Sequence, residues 1–343
     1  MTKKKFKFTY NYVLILICIL LFVAFTIANP GFCKYSSVID MIKLTTEIGI
    51  MALPLTLLII MGCIDFSMCA VLALSAAVGG IVASFTNAML GTIVSIAIGL
   101  GCGAFNGFMV SRLKLPPLIT TLANMYLYKG LAEGATLASG YGTNVSATSV
   151  ATFLGGTSIR ITDTVVIPIQ LILIAVLAIV LRFLLAKTVY GRTLYAIGLN
   201  ENATMFAGIN VVKTKFLTYV LAGGIFAIAG QVLMGRFSTI QYDSADSYQM
   251  QVIIACVLGG ANMNGGRGTI GGTLMGLSVV CILKGGMNAI ALPQTQQKII
   301  LGIVLLASLI TFQIIEEHDL KVKGKARMAA TAAEMAAKKA EKV

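Results

Sequence analysis

The chain has 343 residues, 57% of them hydrophobic and only 11% charged, with a mean hydropathy of +0.91 and a formal net charge of +13. An ordinary soluble domain carries about 25% charged residues, so this composition excludes a soluble globular protein and points to a polytopic membrane protein. The basic excess is spread over loops and tails as a topology signal, so no nucleic-acid partner is expected.

The apolar runs are near-continuous over about 17–25 residues and lack the alternation of barrel strands, so the expected fold is all-α, a polytopic transmembrane helical bundle. A basic cytoplasmic N-terminus over 1–10, with Lys3, Lys4, Lys5 and Lys7, precedes the first run. Lysines before an apolar stretch also mark secretory signals, but Asn29-Pro30-Gly31 offers no small-residue cleavage site and many further runs follow, so an uncleaved first helix is expected. About ten spans follow in order, at about residues 11–28, 46–63, 67–86, 90–111, 117–136, 164–186, 214–235, 249–264, 269–290 and 297–315, together forming one membrane domain over about 11–315. The eighth run is short and bordered by glycines. A charged, Ala-rich tail over 316–343 closes the chain, with Lys321, Lys323, Lys325 and Arg327 directly after the last run.

Lys and Arg orient the bundle, because cytoplasmic loops hold the positive excess. Arg112 and Lys114 mark one such loop, and Arg182, Lys187, Arg192, Lys213 and Lys215 against Glu201 mark another. The alternate loops balance: Lys34 and Lys43 against Asp40 and Glu47, Arg160 against Asp163, Arg236 against Asp243 and Asp246. Both termini and the polar loop 187–212 are therefore expected in the cytoplasm.

Motifs for chemistry are missing. Seven cysteines include no C-x-x-C pair, His318 is the only histidine, and no G-x-x-x-x-G-K-[ST] occurs even around Gly265-Gly266-Arg267-Gly268. No catalytic residue, metal site or cofactor is expected, and any ATP hydrolysis must come from another chain.

What remains is polar groups at membrane depth, where burial is costly and functional roles concentrate. Asp65 and Ser67 form a polar break in Gly62-Cys63-Ile64-Asp65-Phe66-Ser67; the alternative is an acid capping the next helix. Pro116 and Pro117 interrupt the backbone ladder just before Thr120, Thr121 and Asn124, as in broken transporter helices or in a helix that starts with proline. Asn262 and Asn264 lie in a Gly-rich stretch from Leu258 to Gly268 that reads as a re-entrant or tightly packed turn. Glu133, one helical turn after Lys129, is expected to pair with it.

These segments resemble, in order, the permeases of bacterial monosaccharide ABC importers of the ribose, xylose, galactoside and autoinducer-2 type. Gly62 to Ser67 is similar to their G-I-D-L-S segment, with Cys63 inserted and Phe66 in place of Leu. Phe105-Asn106-Gly107, Leu115 to Leu122, Gly191 to Glu201, Ala207 to Asn210, and Val257 to Gly260 with Gly265 to Gly268 continue the likeness over roughly residues 50–310. The resemblance implies a chain without enzymatic activity that works with a second permease subunit, as a homo- or heterodimer. It also implies a cytoplasmic ATP-binding subunit and an extracytoplasmic sugar-binding protein.

The loop from Gly191 to Gly208 is similar to the coupling element of ABC importers, with Asn202-Ala203-Thr204 at the positions of Glu-Ala-Ala and Gly208 at that of the following Gly. Arg192, Glu201, Asn202, Ala203 and Gly208 are thus the expected ATPase-docking residues, Glu201 standing in for the displaced acid. Asp65, Ser67, Asn106, Thr120, Thr121, Asn124, Asn262 and Asn264 are expected to line the translocation path, and the outer loops around 137–162 and 236–248 to receive the binding protein. The competing class is an ion-coupled secondary transporter of small polar solutes, which needs ionisable groups at mid-membrane that this chain offers sparingly.

Overall fold

The computed structural model describes the backbone of residues 10–160, 162, 166–308 and 310. The expected basic N-terminus, Asp163 and the charged tail 316–343 lie outside the described residues.

Helices dominate. In chain order they are α1 Tyr10–Ala28, α2 Tyr35–Ile60, α3 Met68–Phe85, α4 Ala88–Ser111, α5 Pro117–Ala138, α6 Ser149–Gly156, α7 Ile169–Lys187, α8 Val189–Leu199, α9 Glu201–Phe206, α10 Val211–Phe237, α11 Gln249–Leu258 and α12 Ile270–Ala289. A further helix, α13, covers 294–308. Among the described residues six helices are long and apolar enough to cross a bilayer: α2, α3, α4, α7, α10 and α12. The architecture is an all-α membrane bundle.

Several boundaries move from the expected ones for visible reasons. The second run begins not at 46 but at Tyr35, because the polar stretch Tyr35–Thr46 is the first part of the same helix. The sixth begins at Ile169, after a short hairpin of β2 Ser158–Arg160 with β3 Val166–Pro168. The eighth stops at Leu258, where Gly260, Gly265 and Gly266 take positive φ angles of 86°, 90° and 75° that end the helix in a tight turn. At 10 residues α11 rises only about 15 Å, half of a bilayer core of about 30 Å.

The core forms around α2. Every residue from Thr45 to Ile60 is buried, so this part of the helix is enclosed by protein on all sides, notably by α7, α10, α11 and α12. On the other side of α10, α4 is buried along one stripe, Gly91, Ser95, Gly99, Gly103 and Gly107, and turns Phe105 and Phe108 outward. From Gly99 to Gly107 that stripe meets α10 at backbone distance: a Cβ on Gly103 would lie 2.3 Å from the Tyr219 carbonyl oxygen. Small residues allow this approach, and van der Waals packing over bare backbone then holds the pair together.

At the far end of α10 the two expected outer loops meet. β1 Val145–Ser146 pairs antiparallel with β4 Thr239–Ile240, and the Gln241 side-chain amide donates to Asn144 Oδ1 at 2.6 Å. Two charge assignments are corrected here. Lys129 pairs with Asp246 at 2.7 Å, across to the segment before α11, and not with Glu133. Glu47 is not a loop acid: it is fully buried inside α2 and paired with Arg236, Nε to Oε1 at 2.6 Å, while Arg236 Nη2 donates to Tyr248 OH at 2.9 Å.

Candidate coupling and translocation site

The polar loop 187–212 folds into two short helices. Thr188 caps α8 through its Oγ1, which accepts from Gly191 N at 3.1 Å, and Asn200 caps α9 by accepting from Ala203 N at 2.9 Å. Gly208, at φ 80°, ends α9: its N–H donates to Met205 O at 3.0 Å, and Ile209 N donates to Thr204 O at 3.3 Å. This pair of bonds satisfies the last carbonyls of the helix, and the left-handed residue between them favours glycine.

Arg192, Glu201, Asn202, Ala203 and Gly208 are all exposed on this hairpin. Glu201 is already engaged, its Oε2 accepting from Lys215 Nζ at 2.7 Å, which ties α9 to α10. The residues missed in the sequence are apolar: Leu199, Met205 and Phe206 are 73%, 51% and 86% exposed. In a loop read for its polar content they carried no signal beyond their position beside two caps.

The inner side of α8 is wedged into the bundle. Tyr195 OH donates to Gly268 O at 2.6 Å, and Gly266 N donates to Ile60 O at 2.8 Å. Gly198 lies over both partners of that second bond, so the hairpin rests directly on the end of α2 and on the Gly-rich turn after α11.

From the end of α2 the chain passes through Gly62, at φ 76°, into the segment that carries Asp65. Asp65 Oδ1 accepts from the Ser67 N–H at 2.7 Å and from Ser67 Oγ at 2.6 Å, a local turn immediately before α3. Asn106 Nδ2 donates to Ser67 Oγ at 2.7 Å and, more weakly at 3.4 Å, to Asp65 Oδ2. Its Oδ1 in turn accepts from Asn124 Nδ2 at 2.7 Å and from Tyr128 OH at 2.9 Å. Thr121 closes the cluster, accepting from Phe66 N at 3.1 Å and donating to Pro117 O at 2.9 Å. All of these side chains are buried. Burial pushes the Asp65 carboxyl above its ordinary value, while the bonds from Ser67 and Asn106 act in the opposite direction.

Five of the eight expected path residues, Asp65, Ser67, Asn106, Thr121 and Asn124, are thus brought together in one network joining α3, α4 and α5. Thr120 is not part of it; its hydroxyl returns to Pro116 O at 2.9 Å within its own helix. Asn262 and Asn264 sit apart in the Gly-rich turn, Asn262 Oδ1 accepting from Asn264 N at 2.9 Å. Tyr128 was not anticipated, although its place one helical turn after Asn124 puts it on the same face.

A multi-pass helical bundle with a capped helical hairpin seated on its core helix, and with a polar network beside that seat, is the architecture of a membrane permease. Residues 37–309 match the family described as branched-chain amino acid transport system / permease component, and the chain belongs to that family. It is similar to the ribose import permease protein RbsC of Bacillus subtilis, with 34% identity over 298 residues covering 85% of this chain and 89% of that protein. It is also similar to the L-arabinose transport system permease protein AraH of Escherichia coli, at 30% over 297 residues (85% and 87%). Likeness to the autoinducer 2 import system permease protein LsrD of an Enterobacter species stands at 32% over 295 residues (84% and 88%). No solved structure matches. The chain is accordingly an ABC-importer permease component, a multi-pass protein of the bacterial plasma membrane, and not itself an enzyme.

Proposed function

We propose that this chain imports a monosaccharide or similar small polar solute by alternating access, driven by a separate ATP-binding subunit. The cargoes in the names of its relatives, ribose, L-arabinose and autoinducer 2, support that solute class. In this reading the chain crosses the membrane about ten times with both termini in the cytoplasm, and 11–315 forms the permease domain. It pairs with a second permease, identical or homologous, and receives solute from an extracytoplasmic binding protein at the joined loops 137–162 and 236–248.

The observation that carries the proposal is the seating of α8 and α9. Their outer side presents Leu199, Met205 and Phe206 beside Arg192, Asn202, Ala203 and Gly208, a knob suited to a cleft on the ATPase. Their inner side bears on Ile60 and Gly266, so movement of the knob reaches α2 and the Asp65 segment without a flexible intermediary. The path would pass the Asp65, Ser67, Asn106, Thr120, Thr121 and Asn124 region and the Asn262–Asn264 turn. In the conformation described, Asp65, Ser67, Asn106 and Asn124 bond to one another and Thr121 holds the Phe66 backbone beside them, so solute contact requires α3 to part from α4 and α5.

The deciding experiment is uptake of ribose and L-arabinose into proteoliposomes holding the permease, with its ATPase and binding protein supplied. Uptake should need ATP inside and persist when ion gradients are collapsed. Uptake that survives without the ATPase, or that stops with the gradient, would refute it.

A further inference from the structure

A cleft of about 500 Å³ opens where the last turn of α4 meets the first turn of α10, lined by Phe108, Ser111, Arg112, Asn210, Lys213 and Phe216 among others. Its chemistry is uneven. Two cations from different helices, Arg112 and Lys213, are exposed at the cleft, and neither forms an ion pair among the described residues. Ser111 lines the same space with only 4% of its surface exposed, and its hydroxyl has no hydrogen-bond partner. Buried hydroxyls ordinarily find a partner, often the carbonyl one turn earlier, so the unpaired Ser111 hydroxyl bordering this cleft keeps its donor available to an acceptor seated beside it. The N-terminal end of α10, capped by Asn210 Oδ1 accepting from Lys213 N at 2.9 Å, adds partial positive charge on the same side. Phe108 and Phe216 supply an apolar wall, Phe108 being 46% exposed.

Two cations, a buried hydroxyl donor and a helix N-terminus define an oxyanion site, and the phenylalanines leading away from it suit hydrocarbon. We infer that this cleft holds the phosphodiester headgroup of an anionic membrane phospholipid, with Arg112 and Lys213 on the phosphate, Ser111 donating to it, and an acyl chain along Phe108 and Phe216. The placement favours a lipid over a free anion. Both cations stand at the ends of helices that cross the bilayer, where a headgroup lies, and the wall is lined by aromatic rings instead of further polar groups. The inference depends on the membrane-embedded fold and not on what the permease carries.

Native mass spectrometry of the full-length chain, released from detergent after addition of dioleoyl-phosphatidylglycerol or dioleoyl-phosphatidylcholine, tests it. Phosphatidylglycerol should be retained in preference to phosphatidylcholine. Retention should fall about fivefold in Arg112→Gln or Lys213→Gln and about 25-fold in the double variant, the effect of removing one and two cations near a headgroup. Ser111→Ala should weaken retention with an unchanged melting temperature. Lys187→Gln, an exposed cation at the same end of the bundle but outside the cleft, should have no effect. Equal retention of the two lipids, or equal loss in Lys187→Gln, would overturn the assignment. So would displacement of phosphatidylglycerol by millimolar inorganic phosphate, which would mark a free-anion site, or by the purified ATPase subunit, which would mark a protein-docking surface.

Discussion

Gly198 lies so close to Ile60 that a Cβ at residue 198 would stand 1.9 Å from the Ile60 carbonyl oxygen and 2.4 Å from Gly266 N. The surface hairpin and the buried helix α2 therefore meet through bare backbone, and neither side can yield by turning a side chain. Gly198→Ala should lift α8 off this seat, at the cost of overpacking, about 1–3 kcal/mol. The expected result is a permease that still inserts and binds its ATPase but transports poorly, read as ATPase activity no longer stimulated by the loaded binding protein. Unchanged stimulation would show that force does not pass through this contact.

The knob itself predicts the opposite pattern. Phe206 is 86% exposed and packs on little within the chain, so Phe206→Ala should leave the melting temperature unchanged. If it is an anchor in a partner cleft, its loss should weaken ATPase association about 30-fold, the equivalent of about 2 kcal/mol. Titration of the ATPase onto permease in nanodiscs would measure it.

Asn106 is the one residue in the polar network that donates toward Ser67 and Asp65 while accepting from Asn124 and Tyr128. Asn106→Asp removes the donor and sets a second carboxyl against Asp65, so it should destabilise more than Asn106→Ala, which leaves buried groups unpaired at about 1–3 kcal/mol each. Adding Asp65→Asn to Asn106→Asp restores a donor facing an acceptor and should recover most of the lost melting temperature. Additive losses in the double variant would mean that the two residues are not coupled.

The Glu47–Arg236 pair should behave asymmetrically. Arg236→Gln leaves a fully buried carboxylate without its paired cation and should cost about 3–5 kcal/mol, whereas Glu47→Gln with Arg236→Gln together should cost less than Arg236→Gln alone. Thermal unfolding of the three variants in one detergent would decide it.

The two kinds of interaction differ in how far they could be read from the sequence. The loop 187–212 stood out as a polar segment in an otherwise apolar chain with Gly208 as its stop, whereas its division into two helices, capped by Thr188 and Asn200, emerged only in the structure. Asp65, Ser67, Asn106, Thr121 and Asn124 could be singled out as polar groups in an apolar chain, but that they meet in one buried cluster depends on how α3, α4 and α5 pack and was not read from the sequence. The ion pairs were not legible. Lys129 and Asp246 are 117 positions apart and Arg236 and Glu47 are 189 apart, so their pairing follows from which helices pack together. Spacing alone favoured Glu133 for Lys129, and tertiary reach overruled it. Helix starts were misplaced where polar residues, as in Tyr35–Thr46, continue an apolar helix without a break in backbone geometry.

α10 runs unbroken from Val211 to Phe237, about 40 Å, with no proline, joined at one end to the turn after α9 and at the other to β4. A hinged linkage loses stroke at every joint, but a single hydrogen-bonded rod does not. A displacement at the hairpin that tilts this rod should therefore also move β4 and its partner strand β1 at the other end.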